Sequence, residues 1–169
     1  KNLFHDDVDF LEKDISDEFS IEGELDYIIH AASIASPPVY RKFPIKTVDV
    51  NYQGTRNLLE LAKEKKISGM LYLSSSEIYG DPEIIPTPES YLGRVSCIGP
   101  RACYDESKRL GETISILYHQ QFNVPVKIVR PFNIYGPYLS LDDGRIIPDF
   151  MKSSLNNSEI IIHSDGKPT

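Results

Sequence analysis

The chain has 169 residues, enough for one domain of ordinary size with a sizeable core. It is 40% hydrophobic and 25% charged, which are globular values and exclude wholesale disorder. No stretch approaches the roughly 20 apolar residues of a membrane span, and a net charge of −7 argues against a nucleic-acid partner. The charge is local: residues 1–26 hold ten acids against Lys1 and Lys13, and the remainder is near neutral. The opening residues 1–7 carry no apolar segment of the kind that leads a secreted chain. Cys97 and Cys103 make no disulfide framework, and His5, His30, His119 and His163 are scattered. A reduced, cytoplasmic setting and no metal site are expected.

Residues 8–15 read as a short strand and residues 16–24 as an acidic loop or single helical turn. Residues 25–32 form a nearly continuous apolar run, expected as a strand buried on both faces. Pro37 and Pro38 break the chain. From residue 45 to residue 66 the period changes: Val48, Tyr52, Thr55, Leu58, Leu59 and Ala62 recur at helical steps, and the segment ends on lysines that suit a helix C-terminus. A buried strand is expected over 69–74 and a long loop over 77–100. A second helix spans 101–122, with Cys103, Leu110, Ile114 and Leu117 expected inward. A strand at 125–130, a helix at 145–156 and a strand at 159–163 follow. Strands alternating with long helices imply an α/β protein with a doubly wound parallel sheet and helices on both faces. A nucleotide-binding fold of that kind opens with a strand, a Gly-rich turn and a helix. No G-x-G-x-x-G occurs here, so the chain reads as the interior of a longer protein.

The sharpest chemical feature is Tyr104-Asp105-Glu106-Ser107-Lys108. Tyr104 and Lys108 lie on one helix face. A free tyrosine has a pKa of about 10. An ammonium one turn away favours phenolate and is expected to lower that value, letting the pair move a proton on a sugar hydroxyl. The strand over 69–74 ends in Ser74-Ser75-Ser76-Glu77, at the end of a strand where open α/β sheets build sites. These serines either meet the same oxygen as Tyr104 or merely cap the turn. Asn51 interrupts a helical pattern, where it either bonds local backbone or helps to place Lys108.

His30-Ala31-Ala32, Asn51 with Gly54-Thr55, Ser74 to Gly80, Tyr104-x-x-x-Lys108 and Arg130-Pro131-Phe132-Asn133-Ile134-Tyr135-Gly136-Pro137 occur in this order. Together they resemble the extended branch of the short-chain dehydrogenase/reductase superfamily, the NAD-dependent epimerases, dehydratases and decarboxylases of nucleotide sugars. Within it, Ala35-Ser36-Pro37-Pro38-x-Tyr40, Ser76-Glu77-Ile78-Tyr79-Gly80-Asp81-Pro82, Ile98 to Glu106 and Asp142-Asp143-Gly144-Arg145 are most similar to the UDP-glucuronate decarboxylases. Two departures stand out. Ser76 occupies the place of the aspartate that 4,6-dehydratases use, and Asp49 stands where the decarboxylases carry a base.

The resemblance implies an incomplete Rossmann domain over residues 1–137 and the start of a substrate domain over 138–169. It implies NAD as cofactor, with Asp14 and Ile15 at the adenine, Ala31, Ala32 and Ser33 beneath the cofactor, and Asn51, Pro131 and Phe132 near the nicotinamide end. Tyr104 would be the base and Lys108 its partner. Ser76, with Ser75 close by, would supply the hydroxyl, and Glu77 would help reprotonation. Tyr40, Asn133 and Arg145 would contact the nucleotide sugar, and Tyr118 and Gln121 its uridine end. It also implies a homodimer in the full-length protein. Decarboxylation of UDP-glucuronate is the expected activity. A 4-epimerase or 4,6-dehydratase, or a non-catalytic nucleotide-sugar-binding homologue, remain open at this point.

Overall fold

The computed structural model describes residues 7–162. Three strands form one parallel sheet in the order β1 (Tyr27–His30), β2 (Gly69–Leu73), β3 (Val126–Val129). The register sets Ile28 beside Met70 and Met70 beside Val126, with His30, Tyr72 and Ile128 in the next inward row. Between the strands run α1 (Pro37–Lys42), α2 (Pro44–Asp49), a π-helical turn (Val50–Gly54) and α3 (Thr55–Lys65), then a 3-10 turn (Ser76–Tyr79) and α4 (Ala102–Phe122). Helix α5 (Ile146–Leu155) follows β3.

α3 places Leu59, Leu61 and Ala62 against Ile28, Met70 and Val124, and this cluster is the core. Removing that apolar surface from water is what fixes the helix on the sheet. α3 ends at Lys66 and α4 at Asn123, both in the left-handed conformation. Asparagine tolerates that conformation, and it stops a helix. α4 approaches β2 closely because residue 111 is glycine: a Cβ there would collide with the Tyr72 phenol. This contact sets how near the N-terminal half of α4 sits to the carboxyl end of β2. No helix among the described residues is long and apolar enough to cross a membrane.

The α/β parallel fold is as expected, with several local corrections. Residues 8–14 are not a strand; Val8 and Leu11 are half exposed, because a strand needs a neighbour to hydrogen-bond and none lies beside this segment among the described residues. β1 is buried on one face only, with Tyr27 and Ile29 about 70% exposed, since α3 and α4 cover the same side of the sheet. The helix expected over 45–66 is three pieces joined through the π turn. The inward face of α4 is polar and small (Tyr104, Asp105, Ser107, Lys108, Gly111 and Ser115), while Leu110 and Leu117 point outward. Ser107 and Ser115 are tolerated inside because their hydroxyls donate to carbonyls of the preceding turn. Residues 159–162 are irregular and exposed rather than a strand, again with no strand beside them among the described residues; His163 and residues 164–169 lie outside those.

Candidate active site

β2 delivers Ser74 and Ser75, both buried, at its carboxyl end. The chain then tightens into the 3-10 turn, where the Ser75 hydroxyl accepts from the Glu77 N–H at 3.2 Å. α4 brings Tyr104 and Lys108 over the same end. The Lys108 ammonium donates to the Leu73 carbonyl at 2.8 Å and lies 5.3 Å from the Tyr72 ring centroid and 5.9 Å from that of Tyr104. The Ser75 hydroxyl lies beside the Tyr104 phenol and favours its charged form. The Tyr104 ring stacks on Tyr40 of α1. These side chains wall a cavity of about 380 Å³.

Burial dominates the electrostatics. It pushes the Tyr104 phenol up, and Glu77 and Asp105 add to this, while Ser75 and Arg101 oppose it. The direction is opposite to the one expected from the Tyr–Lys spacing, because at nearly 6 Å the ammonium does not outweigh the loss of water. The same loss brings Lys108 down to about 8. His30, buried and bonded through Nε2 to the Thr55 hydroxyl at 2.9 Å, is brought down to about 4 by burial and by Lys108, so it is neutral near pH 7.

The cavity gathers most of the residues singled out in the sequence. Ala31 and Ser33 border it from β1, Tyr40 from α1, and Ser75, Ser76 and Glu77 from β2 and the turn. Tyr104 and Lys108 come from α4, Pro131, Phe132 and Asn133 from the segment after β3, and Arg145 from the start of α5. Arg145 is held by Asp143, whose carbonyl accepts from Ser36. Asn51 stands one step behind. Its side chain accepts from Ser33 at 2.7 Å and donates to Ser107 at 2.8 Å, tying the π turn to the turn after β1 and to α4.

Others lie elsewhere. Ala32 does not border the cavity. Asp14 is ion-paired with Lys46 and bonded to Ser16, and Ile15 packs over Gly54 with its carbonyl accepting from Asn57. Tyr118 donates to Glu60 across the α3–α4 contact and Gln121 is exposed, so neither reaches the cavity. Asp49 is exposed and outside it. Both Ser75 and Ser76 border the cavity, and Ser75 is the one beside the Tyr104 phenol. Arg101 has no role in the sequence reading, yet it borders the cavity and ion-pairs with Glu77. Its signal was a cation directly before the helix that carries Tyr104.

The sequence matches the NAD dependent epimerase/dehydratase family over residues 2–169. It is 42% identical to UDP-glucuronic acid decarboxylase 1 of Xenopus tropicalis over 165 residues, which are 98% of this chain and 38% of that protein. It is 41% identical to UDP-glucuronic acid decarboxylase 5 of Arabidopsis thaliana over 169 residues, 100% of this chain and 49% of that one. The chain therefore spans half or less of these curated relatives. Among solved structures, a UDP-glucuronic acid 4-epimerase from Bacillus cereus in complex with NAD superposes with a TM-score of 0.71 at 28% identity, covering 84% of this chain and 43% of that one. An epimerase from Methanothermobacter thermautotrophicus shares the fold with a TM-score of 0.82 at 24% identity, covering 96% of this chain and 49% of that one.

Proposed function

Because the chain belongs to the NAD dependent epimerase/dehydratase family, we propose that it carries the reacting half of an NAD-dependent decarboxylase acting on UDP-glucuronate. The observation that carries this is one cavity holding a Ser75–Tyr104–Lys108 set beside a Glu77–Arg101 ion pair. Similarity to the decarboxylases at 41–42% identity supports it.

The residues present fit the nicotinamide half of NAD. Ala31 and Ser33 leave room for close approach, Pro131 and Phe132 offer an apolar wall, and the Ser74 hydroxyl is buried without a hydrogen-bond partner among the described residues. Among the described residues Lys108 spends one of its three donors, on Leu73. Asp14 and Ile15 would hold the adenine end after Asp14 leaves Lys46. The chemistry that NAD supplies when bound is reversible hydride transfer at the sugar's C4, which places the C6 carboxylate β to a ketone and lets it depart as carbon dioxide.

Tyr104 takes the proton of the C4 hydroxyl and later returns it, with Ser75 hydrogen-bonded to the same oxygen. Lys108, a cation behind the phenol, stabilises the phenolate as it forms. Arg101 and Arg145 supply guanidinium forks for the anionic groups of the substrate, with Asn133 beside them. Glu77 handles the proton that C5 takes up. Self-association of the full-length protein as a homodimer is part of this proposal, supported by Ile116 and Leu117, exposed on the outer side of α4. So are a cytoplasmic setting, supported by two free cysteines, and a boundary near residue 137 between cofactor and substrate domains.

The test is to incubate the full-length protein with UDP-glucuronate and NAD. UDP-xylose with release of carbon dioxide is the expected outcome. Retention of all six carbons, with UDP-galacturonate as product, would assign 4-epimerisation instead.

A further inference from the structure

Arg101 stands between two carboxylates and pairs with them unequally. Its Nη2 is in close ion-pair contact with Glu77 Oε2, while Asp105, one turn further along α4, holds Oδ1 3.7 Å from the same nitrogen in a looser ion pair. That distance is beyond hydrogen-bond reach. Two polar atoms are left over: Arg101 Nε and Asp105 Oδ1 are buried and without a hydrogen-bond partner among the described residues. Asp105 is only 8% exposed. Buried polar atoms are nearly always paired, so an orphan on each side of one ion pair calls for an explanation. The charged and titratable groups facing Asp105 are Arg101 at the cap of its helix, Cys103, Tyr104 and Glu106 on that helix, Glu77 on the 3-10 turn and Tyr40 on α1. Arg101 is the one cation among them.

We propose that Asp105 is a positioning residue that acts through Arg101: it is a second seat for the guanidinium, and the move of Arg101 from Glu77 to Asp105 frees Glu77 to carry a proton to the sugar. The proposal rests on the decarboxylase reading of the cavity. On the first seat, the guanidinium occupies the Glu77 carboxylate. On the second, the loose Arg101–Asp105 ion pair closes to hydrogen-bond distance and both orphan atoms gain partners. Glu77, released, takes a proton from solvent and gives it to C5 as the substrate carboxylate departs. The hydroxyl of Tyr40, whose ring stacks on Tyr104, is also buried and without a hydrogen-bond partner among the described residues.

Two experiments on the full-length protein test this. The first needs no turnover. The Asp105 carboxyl is followed by carbon NMR in protein labelled at the aspartate carboxyls, its signal assigned by its loss in Asp105→Asn. Burial raises this carboxyl to about 6, Arg101 opposes the rise, and Glu77 and Glu106 add to it. Glu77→Gln is expected to lower the midpoint by more than Glu106→Gln does, because it frees the guanidinium as well as removing a charge. A shift no larger than that of Glu106→Gln overturns the second seat.

The second experiment is kinetic. Asp105→Asn is expected to lower kcat about 10-fold with KM within about twofold, as for a misplaced catalytic group. In the wild type kcat should fall as pH drops through about 6, where Asp105 gains a proton and no longer attracts Arg101. That limb should vanish in Asp105→Asn and return in Asp105→Glu. An unchanged kcat and pH profile in Asp105→Asn overturns the proposal. If the wild type releases no carbon dioxide from UDP-glucuronate, the decarboxylase reading fails, and the carboxyl titration still decides whether Arg101 has two seats.

Discussion

The rings of Tyr40 and Tyr104 stack with centroids 5.4 Å apart and planes 13° from parallel. Tyr40 is 1% exposed, so it is a fixed wall. It sets the plane of the phenol whose oxygen meets Ser75. The contact joins α1, which follows the two prolines, to the helix that carries the Tyr–Lys pair.

Tyr40→Phe keeps the wall and deletes a hydroxyl that has no hydrogen-bond partner among the described residues. Its unfolding free energy in urea is expected within about 1 kcal/mol of wild type. Tyr40→Ala leaves a cavity and is expected to lose about 3–5 kcal/mol. Equal losses for the two substitutions would show that the hydroxyl, not the stack, is what matters.

Tyr104→Phe preserves the ring and removes the oxygen that moves the proton. Turnover should drop about 10²–10⁴-fold with an unchanged unfolding midpoint. Ser75→Ala should lower kcat by about 10-fold or more, while Ser76→Ala should stay close to wild type, because Ser75 is the serine beside the phenol and favours its charged form. A reversed order of the two alanine variants would return the role to Ser76.

Lys108 is 3% exposed, and burial holds its ammonium down at about 8. An unfolded lysine keeps its proton to about pH 10.4. Between those values the unfolded chain binds more protons, so stability contributed by this residue rises with pH, and the cost of burying the charge is in full force below about pH 8. The difference in unfolding free energy between wild type and Lys108→Met, measured in urea at pH 7 and pH 10, should therefore move in favour of the wild type at the higher pH. Movement the other way would mean that the folded protein raises this pKa.

Gly111→Ala places a methyl against the Tyr72 phenol. Overpacking of this kind costs about 1–3 kcal/mol and is relieved by shifting α4 away from β2. A lower thermal midpoint together with a lower kcat is expected, since the same helix carries Tyr104 and Lys108. Full stability with lost turnover would locate the effect in the site alone.

The elements that bury an apolar face were legible in the sequence. The segments around Ile28 and Met70 read as strands, and Leu58, Leu59 and Ala62 as a helix face, because burial and periodicity coincide there. α4 misled for the opposite reason. Its inner face holds the reacting groups and small residues, so Leu110 and Leu117 were assigned to the wrong side. The strand expected over 8–15 has a strand-like composition, but a strand is defined by its neighbour, which a single segment cannot reveal. In the site, the Tyr104–Lys108 pair was readable from a spacing of four. The choice between Ser75 and Ser76 was not: adjacent residues at a strand end differ in direction, and only the turn that follows decides which faces the phenol. Arg101 escaped because its pairing with Glu77 spans 24 positions of sequence with no periodic signal.

The π turn at Val50–Gly54 carries a consequence for length variation. Each residue of an α-helix advances about 100° around its axis, so the extra residue of a π turn leaves the faces of α2 and α3 out of phase with each other. α2 meets α4 while α3 meets β1 as well as α4, and each contact suits its own phase. Removing a single residue between 50 and 54 would regularise the coil and rotate everything beyond it by about a quarter turn or more. Asn51 would leave Ser33 and Ser107, or Leu59 would leave the core. The stretch is thus frame-locked: it accepts exchange of side chains far more readily than any change in their number.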